Sequence, residues 1–263
     1  MANIYLSSTL LWNGSMEEIF DMVFQSGLDG IELWSQQFFY RKFDIDEFEK
    51  LAALYPLKNC IHSQSWDLNI SSVNDGIRKQ SVTEVKKSVE LAYQLGLDEV
   101  TVHPGHCTIS GIGVSYGAYL KESLREILEY AQKWKIDVSL EIMEKIPREF
   151  VTTMDAMKEV CGDMFDQFVY TLDVAHCDSE EEIFSILQNY RPQISKIHIS
   201  NRKGSRFHTP LNEGDYDMKK LLPKLAHYNL PMVIEGLDSS GDFSIAKQNI
   251  QFIQHIFNGG KLE

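Results

Sequence analysis

The chain has four cysteines in 263 residues, Cys60, Cys107, Cys161 and Cys177, scattered without any CxxC pairing. That scatter excludes a disulfide framework and a structural zinc knuckle as the basis of the fold, and it fits reduced thiols. Cys177 follows a histidine, but nothing nearby in sequence would activate it, so it reads as a small buried hydrophobe. Positive charge is also scarce. Lys+Arg number 25 against 38 Asp+Glu, a net charge of -13. The long-range field of such a chain repels nucleic acid and anionic membrane surfaces, so neither is an expected partner. No apolar run is long enough to span a bilayer, and the opening MANIYLSSTLLWNG lacks the basic flank and long apolar stretch of a secretory signal. A cytoplasmic location is expected. Linker-like Pro/Gly/Ser stretches, low-complexity tracts and sequence repeats are absent as well.

What is present is a core-forming composition, 43% hydrophobic and 24% charged, which excludes disorder. Short β-branched or apolar runs alternate along the chain with longer stretches of helical period. The runs are 4–8, 30–34, 57–63, 99–103, 138–142, 168–173, 194–200 and 231–235, eight in all. Segments such as SMEEIFDMVFQSG, SVTEVKKSVELAYQLG and YLKESLREILEYAQKW between them carry apolar residues at spacings of three and four. Gly27, Gly96 and Gly162 stand where helices end, and Ser15, Asp44 and Ser179 where helices begin. Eight alternations over this length predict an α/β fold, one (β/α)8 TIM barrel occupying residues 1–263 as a single domain.

In a parallel barrel every strand delivers its C-terminal end to one rim, where active sites are built. The predicted strand ends and their loops carry Glu32, His62, His103, Glu141, Asp173 with His176, His198 with His208, and Glu235. Converging histidines and carboxylates suit a divalent cation of the zinc, manganese, cobalt or iron type better than calcium. Glu141 in VSLEI and Glu235 in VIEG follow directly on apolar strand residues, and burying such charges is costly unless a cation or hydrogen bonds compensate. Strand alternation around KIHIS places Ile197 and Ile199 outside and His198 inside. Asp173 in DVAH has a second reading as a helix cap. Trp12, Trp34 and Trp66 fall in or near rim loops, as apolar platforms for a substrate or as packing. Arg202, Lys203 and Arg206 cluster after the seventh strand, either to meet a substrate phosphate or carboxylate or as a solvated loop; Lys145 reaches the same rim.

These residues, taken in order, resemble the xylose isomerase-like TIM-barrel superfamily of sugar isomerases and epimerases, related dehydratases and endonuclease IV. The carriers are GIELW, LG(x)5VHPG from Leu95 to Gly105, LE at 140–141, LDVAH, IHISN, HTPLNEGDYD and VIEG. The resemblance implies a metal quartet of Glu141, Asp173, His198 and Glu235 holding Mn, Zn, Co or Mg. Glu141 and Glu235 would double as acid and base, and His176 would be a ligand or polarising donor. His62, His103, His208, Arg206, Glu32 and Trp34 are further candidates for metal or substrate contact. The endonuclease branch carries Asp-Arg-His after the seventh strand, where this chain reads Arg206-Phe207-His208; a guanidinium cannot ligate a metal, which argues against a third cation. The implied activity is isomerase, epimerase or dehydratase chemistry on a small polyhydroxylated carbonyl compound through an enediolate. A zinc-dependent abasic-site endonuclease and a ligand-binding barrel without catalysis are the rival readings. A homo-oligomer is compatible with either.

Overall fold

A computed structural model describes residues 2–109 and 115–258. Eight parallel strands close into a barrel. They are β1 (Asn3–Ser7), β2 (Gly30–Trp34), β3 (Lys58–His62), β4 (Glu99–Val102), β5 (Asp137–Glu141), β6 (Val169–Asp173), β7 (Ile194–Ile199) and β10 (Pro231–Ile234). β1 closes the ring against β10 in the register Ile4↔Met232 to Leu6↔Ile234. Each predicted strand lies within a residue or so of its observed position. The main addition is a hairpin after β7, β8 (Asn201–Lys203) with β9 (Arg206–Thr209), paired antiparallel.

The helices that cover the barrel include α1 (Met16–Gln25), α2 (Ser35–Arg41), α3 (Ile45–Leu54), α4 (Asp75–Gln94) and α5 (Tyr116–Trp134). They continue with α6 (Met154–Cys161), α7 (Glu180–Tyr190), α8 (Met218–Ala226) and α9 (Ser244–Asn258). Ser15, Asp44 and Ser179 cap α1, α3 and α7 by accepting the backbone N–H three residues on, each such cap contributing about 1 kcal/mol. Gly27 and Gly96 leave their helices at positive φ, where a Cβ is penalised.

The outward residues of the strands, among them Leu6, Ile31, Val100, Leu140, Leu172, Ile197 and Ile234, are buried under the helices and form the apolar core. The inward residues are largely polar. Glu32, Thr101, Ser139, Thr171, Lys196 and His198 are all buried. A bulge in β7 fixes part of this division. The register runs Tyr170↔Ile194 and then Thr171↔Lys196, so Ser195 is an extra residue. One residue of slip exchanges the two faces of a strand. The bulge therefore lets Ile194 stay on the apolar side with Tyr170 while Lys196 and His198 point into the barrel.

Candidate metal centre

Glu141, Asp173 and His198 end or nearly end their strands, and Glu235 sits one residue beyond β10, its backbone N–H still bonded to Ile199 O at 3.1 Å. One ligand atom from each of these four buried residues lies within 4.8 Å of the others. Two further groups share members with this quartet: His62, His103 and Glu141 on one side, Asp173, His176 and His208 on the other. The structure thus brings together all the strand-end histidines and carboxylates singled out in the sequence except Glu32.

The hydrogen bonds decide which atom each residue presents. His62 Nδ1 lies 2.8 Å from Ser63 O and His176 Nδ1 lies 2.8 Å from Ile142 O, so both rings donate from Nδ1 and turn Nε2 toward the centre. Across the centre His62 Nε2 approaches His103 Nε2 at 3.1 Å, and His176 Nε2 approaches His208 Nε2 at 3.4 Å. Two nitrogens on one tetrahedral zinc at about 2.0–2.1 Å stand roughly 3.3 Å apart. Asp173 Oδ1 accepts from Ala175 N–H at 2.6 Å, leaving Oδ2 facing the cluster. The capping alternative for Asp173 is thereby met in part by a turn, with no helix starting there. His208 reaches its place through a left-handed backbone, φ 54°, a costly conformation for a non-glycine residue and one that clusters at functional sites.

The donor set fits a divalent cation. Both oxygens of Glu141, Asp173 Oδ2, His198 Nδ1 and Glu235 Oε2 are buried and have no hydrogen-bond partner among the described residues. His198 Nδ1 and Glu235 Oε2 are 2.8 Å apart yet out of hydrogen-bond alignment. Orphaned buried acceptors of this kind each cost about 1–3 kcal/mol, and a bound cation removes that penalty at once. Without one, the group is electrostatically divided. Burial, and after it the neighbouring Glu235 and Glu141 charges, push the Asp173 carboxyl up to about 7. Burial disfavours charge on His176, but the carboxylates of Asp173 and Glu141 outweigh it and raise the ring to about 9.

Glu32 has a different place from a ligand. Fully buried, its Oε1 accepts from His198 Nε2 at 3.2 Å and from Thr101 Oγ1 at 3.1 Å, while Oε2 lies 3.0 Å from the same ring nitrogen. Lys196 Nζ stands 3.8 Å from the same group and is ion-paired with Glu99 on its other side. Burial works against the Glu32 charge, yet His198 and Lys196 hold its carboxyl down to about 2. The result is a carboxylate–histidine relay that fixes the His198 tautomer and aims Nδ1 at the quartet. Sequence reading missed Lys196, although its alternation with His198 in ISKIHIS was a usable signal.

Other expectations separate in the same way. Trp34 is buried and stacks flat on His62, ring centroids 3.9 Å apart, so it braces that ring. Trp12 and Trp66 pack together at 4.8 Å, with Tyr40 on the far side of Trp12 at 5.6 Å, as an aromatic wall at the rim. Arg202 is tied to Cys177 O and Asp178 and lies over Phe207; Lys145 is paired with Asp178 and Glu182. Lys203 and Arg206 are exposed on the hairpin. None of these cations lines the cavity over the metal centre, which is lined instead by Arg148, Glu144, Glu149 and His106. Arg206 is exposed and is not among the residues that line this cavity. The acids Glu144 and Glu149 and the base Arg148 had no strand-end position to mark them, because they lie on the loop after β5.

Comparison with known proteins bears on the fold and the family. The chain is 27% identical over 234 residues to the uncharacterized protein MJ1188 of Methanocaldococcus jannaschii, covering 87% of this chain and 85% of that one. A D-tagatose 3-epimerase-like protein superposes with a TM-score of 0.80 at 23% identity, covering 98% and 99% of the two chains. The probable 3-DHS dehydratase AsbF of Bacillus anthracis gives 0.74 at 18% identity, covering 96% and 98%. At these identities the two structures speak for the fold. The model of the xylose isomerase-like TIM barrel matches residues 20–256, and the chain belongs to that family.

Proposed function

We propose that the chain is a divalent-metal-dependent isomerase or epimerase, or a related dehydratase, acting on a small polyhydroxylated carbonyl compound. One observation carries the reading: four buried ligand residues from four strands converge within 4.8 Å, two of them glutamates with unpartnered oxygens. Glu141, Asp173, His198 and Glu235 would hold Mn, Zn, Co or Mg. The cation, when bound, polarises the substrate carbonyl and neutralises charge that develops toward an enediolate.

The chain's own groups would do the proton chemistry. Glu141 and Glu235 each have a carboxylate oxygen not committed to a protein hydrogen bond, so each can take or return a proton at the carbon beside the carbonyl. His176, with Nδ1 donating to Ile142 O, offers Nε2 toward His208 and Glu144 and can hold a substrate hydroxyl. That the structural neighbours include an epimerase-like protein and a probable dehydratase supports the same reaction class.

The test is exchange of a substrate C–H proton with deuterated solvent over a panel of ketoses and inososes, with metal content measured in parallel. Glu141→Gln and Glu235→Gln are each expected to lose about 10²–10⁴ in rate. Retained metal with unchanged exchange in both variants would remove the acid/base assignment.

A second reading, an abasic-site endonuclease with zinc, is favoured by the two side groups that share Glu141 and Asp173 with the quartet. It expects roughly three zincs per chain and steeply salt-dependent binding to DNA. The net charge of -13 and a cavity with Arg148 as its one guanidinium among the described residues weigh against it. One metal per chain, or no incision of an abasic duplex at low salt, removes it. A ligand-binding barrel without catalysis is the least favoured reading, because the glutamate pair is intact and converges with Asp173 and His198.

A further inference from the structure

The cavity above the metal centre is larger than a monosaccharide needs. Its volume is about 770 Å³. A hexose has twelve non-hydrogen atoms; even at the roughly 30 Å³ that a whole water occupies in the liquid, they fill about 360 Å³. About half the space remains, and its lining differs from that of the metal end. Glu141, His176, His208 and Glu235 come from the strand ends and their loops, while Trp66, Leu68, Ile70, Val73, Ile77 and Val85 come from the β3–α4 loop and the first three turns of α4, interspersed with polar residues such as Gln64, Asp67 and Asn74. Ile70 and Val85 are buried, whereas Trp66, Val73 and Ile77 are 40%, 37% and 50% exposed.

This apolar part is built rather than incidental. Asn69 is buried and clamps the β3–α4 loop to the loop after β4, donating from Nδ2 to His106 O at 2.9 Å and accepting from His106 N–H at 3.1 Å. Ser71 Oγ adds a bond to His106 O at 3.0 Å. At Gly105 a Cβ would stand 2.5 Å from Ser71 Oγ, 2.6 Å from Ser71 N and 2.7 Å from Asn69 Oδ1, so the loops approach too closely there for a side chain. The clamp holds exposed apolar side chains in a fixed surface continuous with the metal end. Exposed aliphatic and aromatic groups within a ligand cavity bind by losing water, and a free sugar has little apolar surface to offer them.

We propose that the substrate is amphipathic: a polyhydroxylated carbonyl head at the metal centre joined to an apolar, aryl- or alkyl-type group that lies against Trp66, Val73 and Ile77. The proposal rests on the head-group reading given above for the metal end. Its occupant is the substrate's own tail, because the apolar surface and the ligand residues line one cavity.

The experiment compares methyl and phenyl β-D-glucosides carrying a ketone at C3, which supply the carbonyl and neighbouring hydroxyls and leave the anomeric position to carry the tail. Binding to the metal-loaded protein is followed by calorimetry, and proton exchange with solvent by NMR. Benzyl alcohol alone, followed by saturation-transfer NMR, probes the apolar part without the head. The phenyl compound is expected to bind at least tenfold tighter than the methyl compound, with that ratio falling toward one in Ile77→Asn and in Trp66→Ala. Ile77 is a half-exposed helix residue, so its variant keeps the fold even if removing Trp66 disturbs the rim. Equal affinity for the two glycosides overturns the tail site and leaves the head-group reading standing. If neither glycoside binds but benzyl alcohol does, and Ile77→Asn abolishes it, the apolar site stands and the head-group reading falls. If no probe binds, both fall.

Discussion

Replacing Glu32 by glutamine removes one negative charge from the barrel interior while keeping the shape of the side chain. The residue is fully buried and touches no proposed ligand atom; its carboxylate meets His198 at Nε2, 3.0 Å away, on the side opposite the quartet. With the carboxylate present, Nε2 must carry the proton and Nδ1 must present a lone pair. Glutamine can offer Nε2 either its carbonyl or its amide, so the tautomer is no longer imposed and the basicity of Nδ1 falls. Outer-shell partners of this kind typically account for a 10–100-fold change in metal affinity, about 1.4–2.8 kcal/mol. The assay is competition for Zn²⁺ or Mn²⁺ against a chromophoric chelator at neutral pH, with near-UV circular dichroism to verify the fold. Thr101→Ala, which removes only the hydroxyl donated to Glu32 at 3.1 Å, leaves the charge in place and is expected to change affinity about fivefold or less. An affinity for Glu32→Gln within about twofold of the parent, with the fold intact, would refute the relay.

The metal-free protein should be pH-sensitive through His176. Its folded value of about 9 lies above the ordinary 6.5, so it contributes stability that is complete below 6.5 and disappears as pH rises through 9. The difference is about 3 kcal/mol, and His103 and His198, also raised, act in the same direction. Urea unfolding in chelator should show this fall and His176→Asn should reduce it, leaving the part due to His103 and His198; a flat profile in the parent would contradict the assignment. Gly105→Ala forces the clamped loops apart and should cost about 1–3 kcal/mol, measured by the same unfolding, and a neutral result would mean the loops separate freely. Lys196→Met strips the cation from between Glu32 and Glu99. Leaving those carboxylates uncompensated should cost about 3–5 kcal/mol, with partial recovery when Glu99→Gln is added, whereas additive losses would mean that Lys196 does not serve both acids.

The amino-acid sequence alone determined the barrel and the rim. Eight runs of apolar, β-branched residues separated by amphipathic stretches specify strands and helices locally, because the two periods differ and each element needs one face covered. Since a parallel barrel sends all its strand ends to one side, the residues ending those runs, Glu141, Asp173, His198 and Glu235, could be placed together before any coordinates. What the tertiary structure alone decided was the direction and partner of each side chain. Glu32 and Glu141 both follow directly on apolar strand residues in the sequence. Only the packed barrel shows one turned to His198 as its support and the other left with two unpartnered oxygens. The cations after β7 looked as available to a substrate as any others, yet Arg202 is consumed by Cys177 O and Asp178, Arg206 stands in solvent, and Arg148 from another loop lines the cavity. Loop residues such as Arg148, Glu144 and Asn69 carry no periodicity. Their positions are fixed by contacts with loops distant in sequence, and those contacts exist only once the barrel has closed.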